Sequence, residues 1–488
     1  MEGRMILTIL ILTVYAPRLT AQENWDLKRC IHYALENNLT HHLYELDERT
    51  ARIDASQSRL NLLPSVSASS SSSINYGRSV DPNTNDVVNT DFFNNSGSLS
   101  SGIGLFHGFI QMNRIAYTKF RLQASRWKKI NYRDDLAFEV LTSYFDVIYY
   151  QGVVEITREQ LELSEYNLKR TETQIETGMK ARTDLAEMQA TYEKEMLNLI
   201  QSENKLEQVK MQLAQLMNLP ASRLRAVQIV KDEEEPAALI PFQWAADSLF
   251  GEFVRLSPYV KMAEAELKAA SKGVAIARGQ YFPSVSLGAS VSTGYYETNQ
   301  DDDGKTIPFK KQFDNNMNEY VGASLSIPIF GKNEVRNEVR KAKLAREQAS
   351  VQLDLYRQTV YYELVNNTRD LYALSREYLQ TKKQFEANEL AYKVAQRKYD
   401  EGLIDVIELL TVKNRVGESK SQHLLAGLQR QIKSRIIDFY RGIRFWEGEG
   451  NRRPEKGDRT PESGERVQEL ESKTEAHRSE SGPWNVVE

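Results

Sequence analysis

The sequence predicts a mainly α-helical chain with a small transmembrane β part, built as two copies of one unit. Three observations predict this. Two proline-free runs, residues 83–219 and 329–453, are dominated by charged and long aliphatic residues, good helix formers. Each carries a turn motif near its middle, E-T-G-M-K-A-R-T-D-L at 176–185 and Y-D-E-G-L-I-D-V-I-E-L at 399–409. Four short stretches alternate apolar with small polar residues, the period of a strand.

The two turn motifs correspond. Gly402 lies 224 residues after Gly178, and Glu408-Leu409 lies 224 after Asp184-Leu185. Glycine suits the left-handed position that ends a helix. Thr183 or Asp184 is expected to cap the helix that follows. Each run therefore predicts two long helices folded back on each other, and matching tips predict an internal duplication.

Composition bounds the rest. The chain has 488 residues, a formal net charge of −4 and 41% hydrophobic residues, with a negative mean hydropathy of −0.54. Near-balanced charge argues against a bulk nucleic-acid binder. The one membrane-like apolar run, residues 5–16, is too short to span a bilayer. Arg4 precedes it and Leu19-Thr20-Ala21 follows as a cleavage site, so residues 1–21 are read as a secretory signal peptide. Cys30 is the single cysteine, so there is no internal disulfide framework. Asp26, Lys28 and Arg29 just before it make a lipoprotein acceptor less apt than a buried helical thiol.

In chain order, the first repeat (22–219) opens with a helical pattern over 24–63, where Leu27, Ile31, Ala34 and Leu35 share a face and Pro64 stops the helix. Strands follow at about 64–76 and 97–107, separated by a polar loop. Leu99, Ile103 and Leu105 fall on one face of the second strand; Ser98, Ser100, Gly102 and Gly104 fall on the other. A linker over 220–258 carries an acidic patch at 232–235 and a short helix near 244–255. The second repeat (259–447) places strands at about 282–296 and 319–330. Val285, Leu287, Ala289 and Val291, then Val321, Ala323, Leu325 and Ile327, make apolar faces. Their opposite faces are almost wholly serine and glycine. The polar stretch 448–488 is expected to be disordered.

Serine runs usually mark flexible linkers, but the clean alternation in the second repeat argues for strands. About ten residues is what a tilted strand needs to cross a bilayer. Apolar residues toward lipid and small polar ones toward water describe a barrel wall, with Val285, Leu287, Val291, Leu325 and Ile327 expected to face lipid. Four strands cannot close a barrel, and open edges cannot face lipid. The chain is therefore expected to oligomerise in a closed ring. From each second strand a helix of roughly 100 Å continues. Leu206, Val209, Leu213 and Leu216 repeat at three and four, a coiled-coil seam. A membrane-anchored structural coiled-coil spacer is the alternative reading of these helices.

Over roughly residues 24–445 the sequence resembles the TolC-type outer-membrane efflux family. The resemblance rests on the strand starts L-L-P-S-V-S (62–67) and Y-F-P-S-V-S (281–286), the element S-I-P-I-F-G-K (326–332), and the paired tips in this order. It implies a homotrimer with a twelve-stranded barrel in the outer membrane of a Gram-negative bacterium. It also implies a periplasmic helical tunnel docked through a periplasmic adaptor to an inner-membrane pump of RND or ABC type. It further implies passive export, with no enzymatic chemistry. By the same resemblance Thr183 and Asp184 in the first tip and Tyr399 and Glu408 in the second match positions that close the channel at rest. Gly178, Leu185, Gly402 and Leu409 mark the tips that meet the adaptor. Ile404 stands where the family has a gating arginine and Thr411 where it has a second acidic ring, so fewer polar links are expected to hold the closed state.

No catalytic, cofactor or metal constellation is evident. The six histidines include no pair at metal-binding helical spacing with a third ligand nearby. Gly102-Ile103-Gly104 lies inside a strand and lacks the rest of a dinucleotide fingerprint. Asp301-Asp302-Asp303 reads as a solvated loop.

Overall fold

The computed structural model describes residues 23–80, 85–89, 91–224, 227–231, 250–251 and 253–447. The signal peptide, the acidic patch at 232–235, most of the linker helix and the polar tail lie outside the described residues.

The chain runs β1 (Glu23–Trp25), α1 (Leu27–Asn37), α2 (Leu39–Leu60), β2 (Ser65–Asn75), β3 (Arg78–Val80), β4 (Val87–Asn89) and β5 (Phe92–His107). Then come α3 (Ile110–Glu176), α4 (Arg182–Met217), α5 (Ala221–Leu224), β6 (Val227–Ile229) and α6 (Pro258–Gly279). The second half continues with β7 (Ser284–Tyr296), α7 (Phe309–Asn315), β8 (Asn318–Ser326), α8 (Glu334–Asp400) and α9 (Val406–Tyr440).

The helix predicted over 24–63 is instead a short strand and two helices. Asn38 makes the break. Its side-chain oxygen accepts from the His41 N–H at 2.9 Å, which caps α2, and its Nδ2 donates to the Leu216 carbonyl at 2.9 Å. An asparagine can satisfy the free N–H groups of a new helix start, and here it also ties that start to α4. Residues Glu23–Trp25 are extended because β1 pairs in parallel with β6.

The two long helices α3 and α8 each run 67 residues, and their partners α4 and α9 run 36 and 35. Both long helices start on a left-handed residue, Phe109 (φ 61°) and Asn333 (φ 63°). The residues just before, Gly108 and Lys332, are left-handed too. Gly108 is forced by space: a Cβ there would lie 2.1 Å from the Gly279 carbonyl oxygen.

Four strands form one antiparallel sheet in the order β2-β5-β7-β8. The register joins the apolar positions across all four strands. Ala68 faces Leu99, Leu99 faces Val291, Ile103 faces Leu287, and Leu287 faces Ala323. On the other face serine meets serine. Ser67 and Ser100 hydroxyls lie 2.9 Å apart, and Ser69 and Ser98 lie 2.8 Å apart. A bulge between Gly104 and Phe106 turns Phe106 onto the apolar face opposite Val285. The fourth strand ends at Ser326, short of the predicted 330. Ile327 is therefore not a strand residue; Pro328 behind it has no N–H to donate to a ladder.

The main core lies midway along the molecule. Trp25, Leu27 and Ile31 pack on Leu136, Val140 and Tyr144 of α3, and on Val209 and Leu213 of α4. The seam predicted at 206–216 thus enters a packed core, with Leu206 and Leu216 half-buried at its rim. Cys30 is fully buried there, and burial first, then Asp26, pushes its thiol up to about 12. Such a thiol is unreactive.

Candidate functional site at the hairpin tips and the two-faced sheet

The two tips have the same backbone. Gly178 and Gly402 both sit at φ 73°. Met179 N–H bonds to the Gln174 carbonyl and Gly178 N–H to that of Ile175; Leu403 bonds to Lys398 and Gly402 to Tyr399 in the same way. This pair of bonds is the Schellman closure of a helix end. It leaves Met179 and Leu403 exposed at the tips.

The helices that leave the tips are capped differently. Ala181 is the N-cap of α4 and offers no side-chain bond. Neither Thr183 nor Asp184 is the cap, contrary to the sequence expectation. Both lie in the first turn, where the Asp184 charge suits the helix dipole. Thr183 Oγ1 lies 3.5 Å from Asp184 Oδ1. In α9 the cap is Asp405, whose Oδ1 accepts from the Glu408 N–H at 2.8 Å. Sequence reasoning missed Asp405, although an acid three residues before Glu408 is the ordinary capping signal.

Tyr399 joins the two hairpins. It is 3% exposed, and its hydroxyl lies 3.4 Å from Thr171 Oγ1 of α3. Lys180 Nζ stands 4.0 Å from its ring centroid. Burial raises the Tyr399 pKa; Thr171 opposes this and the nearby Asp184 charge adds to it. One residue on, Asp400 pairs with Arg170 at 2.8 Å. Tyr399, Asp184, Arg170 and Lys180 are therefore one polar cluster between the hairpins. Glu408 is not part of it and is exposed on α9, as is Thr411. Ile404 is half-buried against the apolar cluster of Met188, Val406 and Leu409.

Leu409 is completely buried in that cluster, so its side chain is not offered to a partner. Leu185 is half-buried. The exposed apolar side chains at the tips are Met179, Leu403 and Ile407. Deeper in the same interface Lys413 of α9 is fully buried, beside Ser164 of α3 and Glu195 of α4. Its signal was present: Lys413 follows Leu409 by four residues on the apolar stripe of α9.

The sheet carries aromatic residues at both ends of its apolar face. Phe93 and Tyr295 rings lie 6.1 Å apart, and Tyr295 and Phe309 lie 5.2 Å apart. At the helical end Phe106 and Phe109 lie 5.2 Å apart, with Phe282 beside them. β7 has 13 residues, or about 43 Å along the strand. At the usual tilt near 40° this spans about 30 Å, the thickness of a bilayer core. Leu287 and Val291 are each 39% exposed and Leu325 is 62% exposed; Val285 is half-buried. Among the described residues no helix is long and apolar enough to cross a membrane, and no cluster of three or more His, Cys, Asp or Glu could hold a metal ion.

A sheet with one apolar, aromatic-rimmed face, continued by paired helices of this length, defines the class of outer-membrane channel proteins built from a β-barrel and a helical barrel. The chain belongs to the outer membrane efflux protein family, whose model matches residues 30–219 and 251–441. It is 25% identical over 317 residues to the pyoverdine export outer membrane protein OpmQ of Pseudomonas aeruginosa, covering 64% of this chain and 62% of that protein. It is 23% identical to outer membrane protein TolC of Escherichia coli K12, covering 70% of each. The chain thus spans about three-fifths of the length of the first of these relatives. The fold matches the Campylobacter jejuni CmeC outer membrane channel at a TM-score of 0.74 and 16% identity, covering 86% of both chains. It matches the open state of the Neisseria gonorrhoeae MtrE channel at 0.67 and 20% identity, covering 85% of this chain and 88% of that one.

Proposed function

We propose that this chain is the outer-membrane exit duct of a tripartite efflux or type I secretion system. Three copies supply four strands each to a twelve-stranded barrel, and their helices form a tunnel in the periplasm. The observation that carries this reading is the sheet. Apolar residues pair across all four strands on one face, the middle of the opposite face is mostly serine and glycine, and both edges, β2 and β8, are unpaired among the described residues of one chain. Unpaired edges cannot stand in lipid, so copies must close them. The equal helix lengths and the shared left-handed positions of the two halves support a duplication, in which residues 22–219 and 259–447 are the repeats.

In this reading the duct does no chemistry and takes cargo from an inner-membrane transporter through a periplasmic adaptor. Thr183, Asp184 and Tyr399 hold the second hairpin against the first at rest. Three copies of Glu408 around a narrow opening would favour cations and repel one another. The exposed tip residues beside Gly178 and Gly402 meet the adaptor. Purified protein in planar lipid bilayers tests the proposal. A trimer with low resting conductance is expected; a monomer, or a protein that never conducts even with its tip links removed, would leave only a structural spacer.

A further inference from the structure

A second site lies far from the tips. A cavity of about 830 Å³ opens between α1, α3, α6 and the segment after α9, a size suited to a small organic ligand. Its walls are aromatic: Trp127, Phe253, Phe439 and Trp446. Two N–H donors on its lining, Arg133 Nε and Trp446 Nε1, are buried with no hydrogen-bond acceptor among the described residues. Asp134 lines it too; it is 4% exposed, and among the described residues neither carboxylate oxygen accepts a hydrogen bond. Buried polar groups are nearly always satisfied, and an unsatisfied one costs about 1–3 kcal/mol. Three on one cavity wall point to something that belongs there.

Charge identifies its sign. Arg133, Arg441, Arg444 and Lys261 line the cavity against the carboxylates of Glu36, Asp134 and Glu447. Glu447 is engaged by Arg133 at 2.6 Å and Arg444 at 3.2 Å; Asp134 has Arg444 at 3.7 Å. Burial first, against the neighbouring arginines, raises Asp134 to about 7. Near neutral pH it is therefore protonated part of the time and then donates. Apart from the two Asp134 oxygens, the unspent capacity is two N–H donors, Arg133 Nε and Trp446 Nε1, among four basic and three acidic side chains and apolar walls. We propose that this cavity binds an organic anion, a carboxylate on an aromatic body, with its oxygens on Arg133 Nε and Trp446 Nε1. The site is independent of the duct and of the tips.

The probe is 2-naphthoate, titrated calorimetrically into the full chain in an uncharged detergent, beside the neutral 2-naphthamide and the cationic 2-naphthylmethylamine. Saturable binding of the acid at one site per chain is expected, with the amide about tenfold weaker or more and the amine not binding, as for loss of a charge-assisted bond. Trp446→Phe keeps the ring and removes the N–H. Arg133→Lys keeps the charge beside Glu447 and removes Nε. Each should weaken the acid about three- to tenfold, the worth of one hydrogen bond. Equal binding of acid and amide, preference for the amine, or no saturable binding at millimolar acid would overturn the proposal. The comparison of the three probes on the unaltered chain decides it even where a variant fails to fold.

Discussion

Lys413 of the second hairpin and Glu195 of the first form an ion pair across their interface, with Nζ and Oε1 at 3.5 Å and the lysine completely buried. Ser164 receives a second bond from the same ammonium. Burial lowers the Lys413 pKa while Glu195 opposes it, so the charge is held at a cost. Removing one partner of a buried pair typically costs about 3–5 kcal/mol, whereas replacing both by apolar groups can be near neutral. Glu195→Ala should therefore melt well below the unaltered chain. Lys413→Met with Glu195→Leu should recover most of the loss. Thermal unfolding in detergent reads both, and equal losses in the single and double variants would show that the pair is not coupled.

Asp134 makes stability depend on pH in a defined direction. Its native pKa is raised from 3.8 to about 7. The folded chain therefore holds this proton longer than the unfolded chain does. Stability contributed by the neutral carboxyl is complete below pH 3.8 and is lost progressively as pH rises toward 7, levelling above it. The full span is on the order of 4 kcal/mol at 1.4 kcal/mol per pH unit. Asp134→Asn should flatten the fall in melting temperature between pH 4.5 and 7.5. An unchanged slope in that variant would place the titration elsewhere.

Most of the architecture was legible because it repeats. Alternation in β7 and the 224-residue spacing of Gly178 and Gly402 are local signals that survive without a partner. The tip caps were misplaced because three polar residues in a row, Arg182-Thr183-Asp184, all suit a first turn, and Ala181 took the cap without using a side chain. The break at Asn38 and the partners of Lys413 and Leu409 depend on a second helix arriving from far along the chain. No window of sequence contains that information. The sequence alternation continues through Ile327, while the ladder ends one residue earlier.

The glycines separate backbone strain from lack of space. Gly178 and Gly402 have nothing within 4 Å of an added Cβ. Alanine there should cost only the left-handed conformation, about 1–2 kcal/mol each. Gly279 is different, since a Cβ would lie 2.4 Å from Ile110 Cγ1 and 2.7 Å from the Gly108 carbonyl oxygen. Gly279→Ala must move the strand-to-helix junction, so it should lose more than either tip variant and reduce the yield of assembled protein. Parallel melting curves of the three variants give the order.

The tip links should set the resting conductance. Asp184→Ala removes the charge beside Tyr399, and Glu408→Ala removes the exposed acid of the second tip. Each is expected to raise single-channel conductance or open time in planar bilayers, and Glu408→Ala should also reduce cation preference. Tyr399→Phe deletes one 3.4 Å bond and keeps the packing, so its effect should be smaller than that of Asp184→Ala. Unchanged conductance in both alanine variants would remove these residues from the gate.

The two faces of the sheet make opposite predictions for one charge. Leu287 lies on the apolar face between Ile103 and Ala323, and Ser286 lies on the polar face between Gly104 and Ser324. A lysine on the lipid side of a barrel wall costs about 2–4 kcal/mol near the bilayer centre, and little on the lumen side. Leu287→Lys should therefore assemble poorly in outer membranes, while Ser286→Lys should assemble normally and shift conductance toward anions. Heat-modifiable migration and membrane fractionation measure the assembled share. If Ser286→Lys were the one excluded from the membrane, the wall would be facing the other way, with its serine ladder toward lipid and its aromatic rims inside. Such a wall would leave hydroxyls facing hydrocarbon with no water to bond, so the pair of lysines tests the orientation on which the duct depends.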